Sequence, residues 1–181
     1  MDIAWSKTRK SFPLSEKKIL KKTILGSLAI SILLIVNFFV IHFYLTANNL
    51  ENWNGILAVT TYVLIVVLIA GIYKYQQLYF AVYFYDLTPD YVVIRKGPIT
   101  PHEITIPYER IQDVYVDQDL FDRLFGLFDV HLSSATASSG TEAHIDGVGP
   151  LAMDGLRSAL LMTVKTRISK AKRPRASRVA K

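Results

Sequence analysis

The side chains able to do chemistry lie on short alternating stretches. In FDVHLSSA (128–135), His131 and Ser133 share a strand face. In EAHIDGV (142–148), Glu142, His144 and Asp146 share another. A serine, a histidine and a carboxylate are the parts of an activated nucleophile, so a hydrolytic grouping is conceivable. Any solvated strand face, however, produces the same alternation. No Gly-x-Ser-x-Gly turn and no His-Glu-x-x-His pair accompanies it. The spacing of His102, His131 and His144 specifies no metal site. Cysteine is absent from the 181 residues, which removes thiolate ligands, a Cys nucleophile and a disulfide framework. The expectation is a chain with no catalytic residue, no metal and no cofactor.

Phosphate recognition has little to work with either. There is no Gly-rich phosphate loop, and a headgroup pocket needs clustered cations. Arg95 and Lys96, at a strand end beside Gly97, are the one tentative phosphate contact. They stand in a region, residues 86–163, that holds twelve acidic and only five basic side chains.

These residues must be positioned by a mostly β region. YFAVYFYDL (79–87) and YVVIRKG (91–97) read as strands joined by a turn at TPD. ITPHEITIP (99–107) and RIQDVYVDQ (110–118) follow, punctuated by Gly97-Pro98 and Pro107. DLFDRLFGL (119–127) breaks the alternation. Its Leu120, Leu124 and Leu127 share a helical face, and Gly126 suits a helix exit. Strands at 128–135 and 142–148 flank a TASSGT loop. Gly149-Pro150 then opens a helix whose Met153, Leu156, Leu160 and Val164 form one apolar face.

Ahead of this region stand two apolar runs, Ile24–Leu45 and Ile56–Tyr73. The first would be roughly 33 Å long as a helix, enough for a ~30 Å hydrocarbon core. It is too long and too far from the start for a cleaved signal peptide. The connector 46–55 contains no Lys or Arg, whereas residues 1–23 contain seven and Lys74 follows the second run. By the positive-inside rule both termini are cytoplasmic and the connector faces out. Asn37 and His42 lie within the first run, where a polar residue more often bonds a neighbouring helix than lines a pathway.

The blocks LTPDYVVIRKGPI, IPYERIQDVYVDQ, RLFGLFDVHLSSA and the closing HIDGV plus helix resemble the bacterial pleckstrin-homology domain of the second type, the membrane-flanked domain family. The resemblance covers residues 79 to about 168, and an upstream pair of membrane helices is usual there. Its motif residues in this chain are Pro107, Arg110, Ile111, Gln112, Arg123 and Gly126. It implies an α+β fold, a bent antiparallel sheet or partly open barrel closed by a C-terminal helix, with no catalytic residue and no cofactor. The expected organisation is a basic cytoplasmic segment (1–23), spans at 24–45 and 56–73 around an external connector (46–55), the pleckstrin-like domain (79–168) and a basic disordered tail (169–181).

The functional expectation is a multi-pass cell-membrane protein carrying a non-enzymatic, acidic domain at the inner leaflet. Residues 164–181 hold eight Lys/Arg and no acid. Both basic tails would meet anionic lipid. Without interleaved aromatics or a folded reader, the tail argues against nucleic acid. The domain itself would meet a protein partner or another copy of the chain. The alternative is a small two-helix subunit of a membrane transport or secretion assembly.

Overall fold

The computed structural model describes residues 6–134 and 143–179, with side chains as far as Arg167 and again at Ser169. Glu142 and the whole TASSGT loop lie outside the described residues. The chain divides into two compact units: Ile19–Leu78, and a second built from Met1–Lys18 with Tyr79–Lys181.

The first unit holds most of two long helices, α2 (Lys17–Ala47) and α3 (Asn54–Val82). Their mean hydropathies are 2.7 and 2.6, and almost none of either apolar window is buried within the chain. Both outrun the expected spans, at 31 and 29 residues. That is roughly 46 and 43 Å at 1.5 Å per residue, more than a ~30 Å hydrocarbon layer needs. A Cβ on Gly26 would sit 3.5 Å from Ile72 Cγ2, so the two helices come close there. Asn49 ends the α2 turn at φ 57°, a left-handed conformation that Asn tolerates. Helix α3 also absorbs Tyr79–Val82, which alternation assigns to a strand. A helix already formed adds a residue at little cost, and that outweighs the β preference of these side chains.

The second unit starts with α1 (Lys7–Ser11), capped by the Ser6 hydroxyl accepting from Arg9 N–H at 2.9 Å. Among the described residues six strands follow: β1 (Phe84–Leu87), β2 (Tyr91–Lys96), β3 (His102–Pro107), β4 (Ile111–Asp117), β5 (Phe128–Ser134) and β6 (Ala143–Val148). They pair as two antiparallel three-stranded sheets, β1-β2-β3 and β4-β5-β6. A single bent sheet or partly open barrel was expected; among the described residues no closed barrel forms. A 3-10 turn, Tyr108–Arg110, carries the chain from one sheet to the other. Helix α4 (Leu120–Phe125) connects β4 to β5. Asp119 and Asp122 cap it reciprocally, and Gly126 ends it at φ 66°.

Helix α5 (Pro150–Val179) closes the unit. Leu156 and Leu160 are fully buried, with Met153 and Val164 packed beside them, as the spacing predicts. The backbone stays helical through Val179, where a disordered tail was expected from residue 169. That segment is rich in Lys, Arg and Ala, which favour helix and here outweigh Pro174. The core further contains Tyr83, Tyr85, Val92, Ile94, Tyr108, Val130, Leu132, Ile145 and Val148.

The N-terminal segment is the main departure from expectation. Rather than a free basic arm, it is part of this core. Leu14 is buried and forms a β-bridge with Val148. Phe12 packs on the core, its ring lying where a Cβ on Gly155 would stand. Ser6 Oγ donates to Tyr85 O at 2.5 Å, and Thr8 Oγ1 donates to Asp86 Oδ1 at 2.6 Å while accepting from Leu87 N–H at 3.0 Å. These contacts cover the open edge of β1, whose backbone would otherwise invite pairing with another chain.

Candidate functional site

The densest polar arrangement centres on Asp146, whose side chain is 9 % exposed. Strand β6 brings this carboxylate to the junction of four elements. Lys18, at the start of α2, places Nζ 3.3 Å from Oδ2 and 3.1 Å from the Asp146 carbonyl oxygen. Lys96, at the end of β2, approaches Oδ1 at 3.2 Å, and His144 Nε2 reaches Oδ1 at 2.8 Å. Tyr83, just before β1, accepts from Asp146 N–H at 3.3 Å and donates to His144 O at 3.1 Å. Lys18 Nζ also stands 4.0 Å above the Tyr83 ring, a cation–π contact.

The electrostatics follow from this geometry. Burial pushes the Asp146 carboxyl up. The His144 hydrogen bond and the Lys18 and Lys96 ammoniums outweigh burial and hold it well below the usual carboxylate range. Burial drives the Tyr83 hydroxyl up, and the Asp146 charge adds to it. Gly147 follows at φ 74°, and a Cβ there would meet Lys18 Cδ at 2.7 Å. Its N–H donates to Asp129 Oδ1 at 2.7 Å. A carboxylate held by two ammoniums and an imidazole is already occupied. The cluster ties elements together.

The residues singled out in the sequence fall as follows. Arg95 and Lys96 point to opposite faces of β2: the Arg95 guanidinium lies over the Phe84 ring at 5.5 Å, and Lys96 turns in to Asp146. They are not brought together as a phosphate clamp. His131 stacks between Tyr115 (4.8 Å) and His144 (5.3 Å), a cross-strand aromatic pile. Among the described residues no group of three or more His, Asp or Glu is placed to hold a metal. Pro107 leads into the 3-10 turn, Arg110 ends it exposed, and Ile111 enters the core. Gln112 is exposed at the irregularity in the β4–β5 register, and Arg123 is exposed on α4.

Lys18, Tyr83 and Arg9 were not singled out beforehand. Arg9 donates to Tyr83 O at 2.5 Å and Phe80 O at 3.1 Å, so two cations read as lipid-facing are turned inward. The signal lay in SFPLS (11–15), an apolar alternation inside a charged segment, which a solvated arm does not need.

A cleft of about 660 Å³ opens elsewhere in this unit. It is lined by Lys7, the end of β1 and the turn after it (Asp86–Pro89), Tyr108, and the α5 residues Met162, Thr163, Thr166 and Arg167. Arg167 reaches Asp90 at 3.1 Å, and the Tyr108 hydroxyl donates to Thr88 O at 2.9 Å. Hydroxyls, two cations and an exposed methionine make the lining mixed, and the lining includes no histidine.

The family model described as bacterial PH domain matches residues 19–172, a stretch that includes both apolar helices as well as the sheets and most of α5. No curated protein and no solved structure matches the chain.

Proposed function

The chain belongs to the bacterial PH domain family, and on that premise we propose that it is a membrane-anchored, non-enzymatic module. It presents its β unit at the cytoplasmic face for protein interaction or self-assembly. The observation carrying this reading is that residues 6–18 and the chain after Tyr79 build one core, joined by the Lys18–Asp146 pair and the Leu14–Val148 bridge. A helical pair whose two outer ends share a folded unit has both ends on one side of any bilayer it crosses. The lack of Lys or Arg in 46–55 supports the cytoplasm as that side. The cleft beside Met162 is the proposed seat of a protein partner.

Single cysteines test this cleanly in a chain that has none. An impermeant thiol reagent on intact cells should label Asn49→Cys, and should label Glu109→Cys only after permeabilisation. The reverse pattern overturns the orientation. A photo-crosslinker at Met162 should capture one partner or a second copy from native membranes, and no adduct would sink the interaction role.

A second reading, a two-helix subunit of a larger membrane assembly, is favoured by Asn37 and His42, both exposed on α2. A polar side chain in hydrocarbon is best satisfied by another helix. Crosslinks from Asn37 to a different polytopic protein would select this reading.

A further inference from the structure

We infer that one end of the β unit, carrying Ile99, Leu120, Leu124 and Leu151, enters the interfacial layer of the bilayer. The inference rests on the membrane reading above and adds which surface of the unit faces lipid.

These four side chains are 80 %, 81 %, 76 % and 98 % exposed. Single exposed apolar residues are ordinary on soluble proteins, whereas a group of them marks a binding surface. Three separate elements bring them to one end. Ile99 lies in the turn after the Lys96↔His102 pair, where β2 meets β3, and Lys96 itself reaches Asp146. Leu120 and Leu124 are one turn apart on α4, which leads through Gly126 into Phe128, the register partner of Val148. Leu151 stands three residues beyond Val148, at the start of α5.

The same end is where the chain leaves for its apolar helices. Val148 bridges Leu14, Ser15 N–H donates to Gly147 O at 2.9 Å, and Lys18 holds Asp146. The chain departs immediately after Lys18 and returns at Tyr79, four residues before Tyr83, which touches the same Asp146. Covalent continuity therefore sets this end close to wherever the apolar runs enter a bilayer. The opposite strand ends expose Pro89, Asp90, Glu109 and Arg110 instead. Apolar tips flanking a membrane entry point fit the headgroup–acyl boundary, which takes apolar side chains to a depth of roughly 5–10 Å. Arg123, between Leu120 and Leu124, suits the anionic headgroups above them.

The test uses the full chain in phosphatidylglycerol–phosphatidylcholine vesicles, with an environment-sensitive fluorophore on one introduced cysteine at a time. The sites are Leu124, Leu151, Val40 inside α2 and Glu109 at the opposite end. Labels at 124 and 151 should shift to shorter emission wavelength. Lipids carrying a quencher near the headgroup should quench them severalfold more than the label at 109. Mid-chain quenchers should act mainly at Val40. If 124 and 151 behave like 109 while Val40 is quenched, the inference is wrong and the membrane reading stands. If Val40 is not quenched either, the membrane reading fails first. Self-quenching at 124 that grows with protein density would assign this end to a second copy and overturn the lipid assignment.

Discussion

Lys18 and Asp146 stand 128 residues apart in sequence and 3.3 Å apart in space, with side chains 5 % and 9 % exposed. Removing one partner of a buried pair leaves the other charge uncompensated, which typically costs about 3–5 kcal/mol. Asp146→Asn should therefore lower stability by about that much in chemical denaturation of the detergent-solubilised full chain. A loss below 1 kcal/mol would show the pair to be dispensable.

The same carboxylate sets an acid dependence. Its folded-state pKa lies below the unfolded value of 3.8, so its stabilisation is present above that pH and disappears as pH falls through the depressed value. The native chain should lose stability steeply below about pH 4. Asp146→Asn should have a flatter profile there. Parallel profiles for the two proteins would rule Asp146 out as the acid-sensitive group.

Three buried tyrosines set the alkaline limit. Burial raises the hydroxyls of Tyr83, Tyr85 and Tyr108, the last to about 12. A raised tyrosine stabilises the fold below pH 10 and ceases to as pH climbs through its folded value. Absorbance titration should show late-ionising tyrosines, and Tyr108→Phe should remove one of them. Ordinary ionisation throughout would mean these hydroxyls reach water.

The N-terminal arm is expected to be structural. Leu14→Ala should cost ~2–5 kcal/mol, the usual range for a buried leucine. A fragment beginning at residue 79 lacks Phe12, Leu14 and Lys18, and should melt without a cooperative transition. A sharp melt from that fragment would show that the arm only decorates a self-sufficient domain.

Gly155 separates two opposing effects. Alanine inside a helix gains up to ~1 kcal/mol over glycine. Here its Cβ would stand 2.5 Å from Phe12 Cε1, so the ring must move and its packing is lost. Gly155→Ala should be destabilising in the native chain and mildly stabilising when Phe12 is already alanine. Equal effects in both backgrounds would mean the two residues do not touch.

Much of this fold was legible because its signals are local. The six strands, the short α4 with its Gly126 exit and the apolar face of α5 follow from alternation, turn residues and three- and four-residue spacing. The rest depended on pairings across the chain. Nothing near Lys18 shows that its ammonium meets a carboxylate on β6, and a run of cations looks the same whether solvated or folded in. Tyr79–Val82 suit strand and helix alike, and only the preceding helix decides between them. The candidate site suffered most. His144 and Asp146 stood out by alternation, but the lysines that neutralise Asp146 come from α2 and β2.

The docked arm also constrains biosynthesis. Residues 6–18 leave the ribosome well before Val148 and Gly155, on which Leu14 and Phe12 rest and which are made more than a hundred residues later. Closing so long a loop is slow compared with local structure. Both apolar helices are thus complete before the arm can dock. A nascent chain interrupted before β6 lacks Val148 and Gly155 alike, and leaves Leu14 and Phe12 without the residues they rest on.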